Sequence, residues 1–288
     1  MKVDLILTSD WHLREDTPPC RTDNFWEAQW DKVGQVRALQ VEHHCPVLHA
    51  GDLYHHWKPS PYLLTRTYQE LPENFITVAG QHDLPNHSLE LAEKCGLYNL
   101  NTTNRLEWDP TQGNWGQEPW RCIFFPNRTP ERHVAVWHRF VWDGKEMPWP
   151  DCKEMTAKEI LKKYPQYDLI VTGDHHKPFT YEYKGRLLVN CGCLTRQAAD
   201  YADHRPRVWL WNAETNTVVP HYLKVNKQAV SREHLEQKEE RDKRIDAFVS
   251  RLSDTWEVGI SFEENLKRFI SSNQVRKSVV DLIYKALE

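Results

Sequence analysis

Apolar residues in the first two thirds of the chain come in short runs, each stopped by a polar cluster. Residues 3–8, 47–50 and 75–78 are such runs, as are 121–125, 133–136 and 168–172, and their length and bounding turn residues predict buried strands. Residues 23–44 are rich in helix formers. Ser60 followed by Pro61 has the form of an N-cap and first helical position, opening a helix to about Leu71. Thr156 and Glu159 form a capping box for a helix ending near Tyr164. After Gly173 the pattern changes to hairpins, with strands at 179–183, 186–190, 207–211 and 218–225. Early β-α alternation followed by a β-rich half predicts an α/β architecture of two packed sheets with helices outside.

From Lys227 onward charge rises and the apolar period changes to that of a helix. Ile245, Phe248, Val249 and Leu252 recur at helical spacing, as do Phe262, Leu266, Phe269 and Ile270, then Val275, Val279, Leu282 and Ile283. Ser261 and Glu264 form a second capping box. The chain therefore divides into a first domain at 1–226 and a helical C-terminal appendage at 227–288. The appendage's apolar stripes either pack within the protein or hold a partner.

A length of 288 residues suits one large domain with an appendage, and 40% hydrophobic with 27% charged residues describes a globular protein. The first apolar run is too short and too charged for a signal peptide or a membrane span, which predicts a cytoplasmic protein without a membrane. Seven cysteines, an odd number, fit reduced thiols better than a disulfide framework. Cys191 and Cys193 have the spacing of a metal half-site, but buried inert thiols are the better reading of a lone C-x-C. The net charge of −4 gives no support to a free-standing tight nucleic-acid binder. It leaves room for a nuclease whose cations or partner supply positive charge.

The chemistry sits at strand ends. Asp10 and His12 follow the first strand, and alternation along an extended segment would turn both toward one metal. Asp52 follows the second strand, Gln81, His82 and Asp83 the third, His138 a later one, and Asp174, His175 and His176 the next. Carboxyl ends of strands form the ligand crevice of α/β sheets, so these residues are predicted to converge. Glycine precedes three of the clusters, at Gly51, Gly80 and Gly173, allowing tight turns or close approach.

The segments Ser9-Asp10-Trp11-His12-Leu13, Gly51-Asp52-Leu53-Tyr54-His55, Gly80-Gln81-His82-Asp83 and Gly173-Asp174-His175-His176 resemble the successive motifs of calcineurin-like phosphoesterases. Within that superfamily they are most similar to SbcD-type nucleases, the exonuclease subunits that work with an SMC-like ATPase. The likeness covers about residues 1–225, including the loop and helix start at 51–61 and the turn at 190–196. It implies the family's αββα sandwich. It also implies two divalent cations, one held by Asp10, His12, Asp52 and His176, the other by Asp52, Gln81, His138 and Asp174. The family usually has Asn at the position of Gln81 and His at that of Asp174. These departures make the second set oxygen-rich, which favours manganese or magnesium over zinc. His175 stands as an alternative ligand to Asp174.

By the same resemblance, hydroxide generated between two cations attacks a phosphodiester. His82 protonates the leaving oxygen or stabilises its charge, Asp83 orients His82, and His55 contacts substrate. Lys58, Arg139 and Lys177, each near a ligand, are candidate contacts to substrate phosphates. The implied partners are DNA and a coiled-coil ATPase of SbcC type, with a homodimer left open. A phosphodiesterase for small or cyclic nucleotides, and a non-catalytic binding subunit with a degenerate centre, are the competing functions. The appendage favours the nuclease.

Overall fold

Alternate residues of the first strand serve two different cores. The structure, a computed structural model, describes residues 2–109, 121–125, 131–254, 261–272 and 275–287. In β1 (Leu5–Thr8), Leu5 and Leu7 enter one apolar cluster and Ile6 another, because successive strand side chains face opposite ways. The split recurs in β5 (Arg132–Trp137), β6 (Leu169–Thr172) and β8 (Arg186–Asn190). Their Val134, Val136, Val171 and Val189 join Leu5 and Leu7 between the sheets, while Ala135, Trp137, Ile170 and Leu188 turn outward to a third cluster. Three apolar layers thus separate helix, sheet, sheet and helix, the predicted αββα sandwich.

One sheet has the order β10 (Thr217–Tyr222), β9 (Arg207–Asn212), β1, β2 (Val47–His49), β3 (Phe75–Thr77). Its β1, β2 and β3 are parallel, with Leu7 opposite Leu48 and Leu48 opposite Ile76. The other runs β4 (Arg121–Phe125), β5, β6, β8, β7 (Phe179–Tyr183), with β5, β6 and β8 parallel and the edges antiparallel. Helix α1 (Phe25–His43) is capped by Asn24, and α2 (Pro61–Glu70) by Ser60, each side chain accepting a backbone N–H of the first turn. Such caps contribute about 1 kcal/mol. Helix α4 (Ala157–Lys163) carries the complete Thr156–Glu159 capping box and puts Ile160 and Leu161 against the second sheet's outer cluster.

Three sequence expectations need adjustment. The last strand stops at Tyr222 instead of 225, because the Lys224 N–H leaves the ladder for the Gln35 side chain at 2.7 Å. Residues 81–94, for which no element was expected, form three 3-10 turns before α3 (Gly96–Thr102). The first compact unit runs to Ser231, past the expected division at 226, because Ala229 accepts from the Thr22 N–H and the Ser231 N–H donates to Cys20.

The second unit, Arg232–Glu288, contains α5 (Glu233–Asp254), α6 (Phe262–Ser272) and α7 (Lys277–Leu287). Ser261 accepts from the Glu264 N–H at 3.2 Å, as a cap should. Leu266 and Phe269 are buried, whereas Phe262 and Leu282 are exposed at 52% and 68%, so only part of the expected stripes is covered. The side chains of Phe248, Val249 and Leu252 lie outside the described residues. Among the described residues no helix is long and apolar enough to cross a membrane.

Candidate metal centre

Five of the expected strand ends meet, but not by the geometry that alternation predicts. Asp10 and His12 lie beyond the end of β1 with φ of 51° and 46°, in the left-handed region, and Asp52 and Asp174 share that conformation at 57° and 72°. Their side chains converge because each loop turns sharply. Such positions cost non-glycine residues on the order of 1 kcal/mol and collect at functional sites. The loops are also pressed together. A Cβ on Gly80 would collide with Asp52 Oδ1, and one on Gly51, itself at φ 89°, would stand 2.5 Å from His138 Nδ1.

His12 Nε2 lies 3.1 Å from His176 Nε2, 3.9 Å from Asp10 Oδ1 and 3.7 Å from Asp52 Oδ2. His138 Nε2 lies 3.3 Å from Asp52 Oδ2. Asp10, His12 and His176 form one cluster with the ligand spacing of a cation site, Asp10, Asp52 and His138 a second, and His12, His55 and His82 a third. Asp10, Asp52, His12 and His138 are all buried. Asp52 Oδ2 and His138 Nε2 have no partner but each other, at 3.3 Å, and Gln81 Oε1 and His12 Nδ1 have no hydrogen-bond partner. Buried polar atoms left unpaired are costly, and the first three are oxygen and nitrogen donors suited to divalent cations. The residues present therefore fit the implied metals.

The remaining contacts orient these donors. His138 Nδ1 donates to the Ala50 carbonyl at 2.6 Å, leaving Nε2 directed at Asp52. Ser9 donates to Asp10 Oδ2 at 2.5 Å, and the His82 N–H to Asp52 Oδ1 at 2.9 Å. Burial works against charge on both members of the Asp52–His138 pair. Their mutual attraction prevails, holding Asp52 well below the usual carboxylate range and pushing His138 up to about 10. Burial, with the nearby Asp52 charge, raises Asp10, and burial keeps His12 neutral.

Asp83 does not orient the His82 ring. Its buried carboxylate accepts from the backbone N–H groups of Leu53, Tyr54 and Gly80 at 3.0 to 3.2 Å, tying the Asp52 loop to the Gln81 loop. Burial and the nearby Asp52 charge push Asp83 up to about 7. The His82 ring is fixed instead by Nδ1 donating to the His55 carbonyl at 2.8 Å. His55 stacks on it at 5.3 Å, and burial followed by the charge of Arg14 lowers His55 to about 4.

Gln81 and Asp174, the two departures from the family pattern, touch. Gln81 Nε2 donates to Asp174 Oδ1 at 2.7 Å, which leaves the amide oxygen as the unpaired atom. His175 belongs to none of these clusters, with Nδ1 on the Val141 carbonyl at 2.8 Å and its ring stacked on Phe140. Cys191 and Cys193 are buried, burial raises both thiols, and neither belongs to a cation cluster.

A cavity of about 200 Å³ opens beside the histidines, lined by His12, His55, His82 and His176 with Arg14 and Tyr201. Neither Lys58 nor Arg139 lines it. Lys58 is exposed beyond the loop, and the Arg139 guanidinium sits 4.8 Å over the Trp137 ring and 3.5 Å from Glu154. Lys177 lines a neighbouring groove. Sequence reading missed Arg14, Gln197 and Tyr201. Gln197 donates to the carbonyl of His12 and follows directly on the 190–196 turn, the one signal that pointed toward it.

Buried carboxylates and imidazoles gathered where the parallel strands of two facing sheets end define a metallophosphoesterase centre. The profile of the calcineurin-like phosphoesterases matches residues 4–178, and the chain belongs to that family, whose members use two divalent cations. It is 26% identical over 212 residues to the DNA double-strand break repair protein Mre11 of Halobacterium salinarum, covering 70% of this chain and 54% of that one. The Mre11 of Haloferax volcanii is also 26% identical, over 227 residues, with 70% and 47% covered. The chain thus spans about half the length of these relatives. Among solved structures, one described as a novel archaeal phosphodiesterase is similar at 14% identity and a TM-score of 0.45, with 76% of this chain and 99% of that one covered.

Proposed function

We propose that the chain is a DNA nuclease of SbcD type, hydrolysing phosphodiester bonds with two divalent cations, manganese first among them. The observation that carries this reading is the meeting of Asp10, His12, Asp52, His138 and His176 around unpaired buried donor atoms, in a chain similar to Mre11 proteins. In this reading Asp10, His12, Asp52 and His176 hold one cation. Asp52, His138 and the Gln81 carbonyl hold the other, with Asp174 beside Gln81 completing that set. The cations, when bound, supply Lewis acidity toward water and the phosphoryl oxygens.

The chain's own groups do the rest. Asp83 locks two loops through three backbone amides, so Asp52 and Gln81 keep their spacing. The His55 carbonyl accepts the His82 Nδ1–H, so a second proton, carried on Nε2, would be the one passed to the departing oxygen. His55, neutral at physiological pH, packs beside it without competing charge. The helical unit from Arg232 serves an SMC-like coiled-coil ATPase, with Phe262 and Leu282 among its exposed apolar residues.

Labelled single- and double-stranded DNA incubated with manganese, with and without chelator, tests the reading. Metal-dependent cleavage is expected. Hydrolysis of cyclic nucleotides with no action on DNA would favour the small-substrate alternative, and binding without hydrolysis the degenerate one.

A further inference from the structure

The loop after β5 builds a second concavity that the metal centre does not use. This groove of about 560 Å³ is lined by Phe140, Trp142, Lys145, Met147, Trp149 and Lys177. Tyr201 lines both the groove and the histidine cavity, and its ring lies 5.7 Å from that of His176, so the two spaces adjoin. Within the groove the aromatic rings form a row. Trp149 packs on Phe140 at 4.9 Å, Phe140 stacks on His175 at 4.6 Å, and His175 meets Phe179 at 5.9 Å. The row ends exposed: Trp149 is 45% accessible and Met147 57%.

Charge narrows the choice of occupant. Lys145 and Lys177 are balanced by Asp143 and Glu146 in the same lining, and Lys145 already pairs with Asp143 at 3.2 Å. A groove without net positive charge is a poor track for phosphates, whose capture needs uncompensated Lys or Arg. Aromatic faces without net charge suit a nucleobase, which every sequence presents.

We infer that this groove stacks an unpaired base of the strand whose phosphodiester lies at the metal centre, with Trp149 as the stacking platform. The inference rests on the proposed nuclease reading and extends it to substrate form: single-stranded or frayed DNA is preferred to closed duplex, whose bases are already stacked on one another. Because the contact is to a base, it adds little to the salt dependence of binding.

The test uses the full chain in chelator, so that nothing is cut, and single-stranded oligonucleotides carrying one 2-aminopurine moved along the strand. Quenching is expected in one register and not uniformly. Trp149→Ala should weaken oligonucleotide binding about tenfold and remove the quench, while Trp149→Phe, which keeps a ring, retains most of both. The salt slope of binding should be the same in wild type and Trp149→Ala. Thermal melting of the half-exposed Trp149 variants checks that they are folded. Wild-type affinity and quenching in Trp149→Ala would overturn the groove assignment while leaving the nuclease reading intact, provided wild type cuts DNA with manganese. Wild type that cuts and binds no DNA, yet hydrolyses a nitrophenyl phosphodiester, would sink the nuclease reading first and the groove with it.

Discussion

The Nε2 atoms of His12 and His176 face each other at 3.1 Å across the mouth of the centre. Burial keeps His12 neutral, so either a shared proton or a cation must separate two lone pairs at this distance. Asp52 belongs to the cluster with Asp10 and His138, 3.3 Å from His138, and also stands 3.7 Å from His12 of the neighbouring cluster. Asp52→Ala is therefore expected to lose the paired centre and nearly all hydrolysis. Manganese stoichiometry by calorimetry or electron paramagnetic resonance checks this, and a variant that keeps two equivalents and full turnover would refute the assignment.

Metal uptake should release a proton. In the metal-free protein the Asp52 carboxylate, against burial, raises His138 to about 10, so the imidazole is charged at neutral pH. Raised above the ordinary histidine value of about 6.5, this group stabilises the metal-free fold fully below that value. That contribution is lost as the pH rises through about 10. A cation takes the proton's place. Manganese titrations near neutral pH, run in buffers of different ionisation heat, are expected to show about one proton released and affinity that falls with falling pH. Identical heats in all buffers would exclude the mechanism.

His82 lines the cavity with its ring fixed by the His55 carbonyl and stands outside the two ligand sets proposed for the cations. His82→Ala should keep manganese occupancy and lose about a hundredfold or more in rate on DNA. A nitrophenyl phosphodiester, whose leaving group needs no proton, should lose less. Equal losses on both substrates would assign His82 to charge stabilisation instead.

The division between the units sets where the chain tolerates cutting. Ending it after Ser231 keeps the pairing of 229–231 with 20–22 and is expected to leave a folded, metal-binding core that hydrolyses simple diesters. Ending it after Asn226 removes those backbone bonds and should lower the melting temperature. Equal melting of the two truncations would show that the segment contributes nothing. Duplex cleavage that depends on a coiled-coil ATPase should vanish from both, and capture of that ATPase by the shorter chains at full affinity would exclude a docking role for the helices.

The layers of this fold were legible because strand alternation and capping residues act locally: Ser60, Thr156 and Glu159 cap the helices their sequence pattern predicts. The strand-end residues were legible for the same reason, since Asp10, Asp52 and His138 each follow an apolar run. What stayed hidden depends on contacts between distant segments. No local pattern says that Asp83 accepts three amides from its own and a remote loop, or that the His55 carbonyl holds His82. The left-handed turns at Asp10 and His12 were hidden because neither residue is glycine. The row from Trp149 to Phe179 was hidden because nothing local distinguishes Trp149 from the other tryptophans of the thirteen in the chain.

Those left-handed turns bear on how such a centre persists. Asp10, His12, Asp52 and Asp174 all occupy backbone conformations that glycine adopts without penalty. Exchanging the buried and strained His12 for glycine should relieve backbone strain where alanine would keep it, so the glycine variant should outlast the alanine one on heating although both are inactive. A lineage that kept the scaffold only for binding would be free to drift toward such relaxed residues, gaining durability as it lost chemistry. Here all four left-handed positions carry side chains with donor atoms, so the strain and the ligand set stand together.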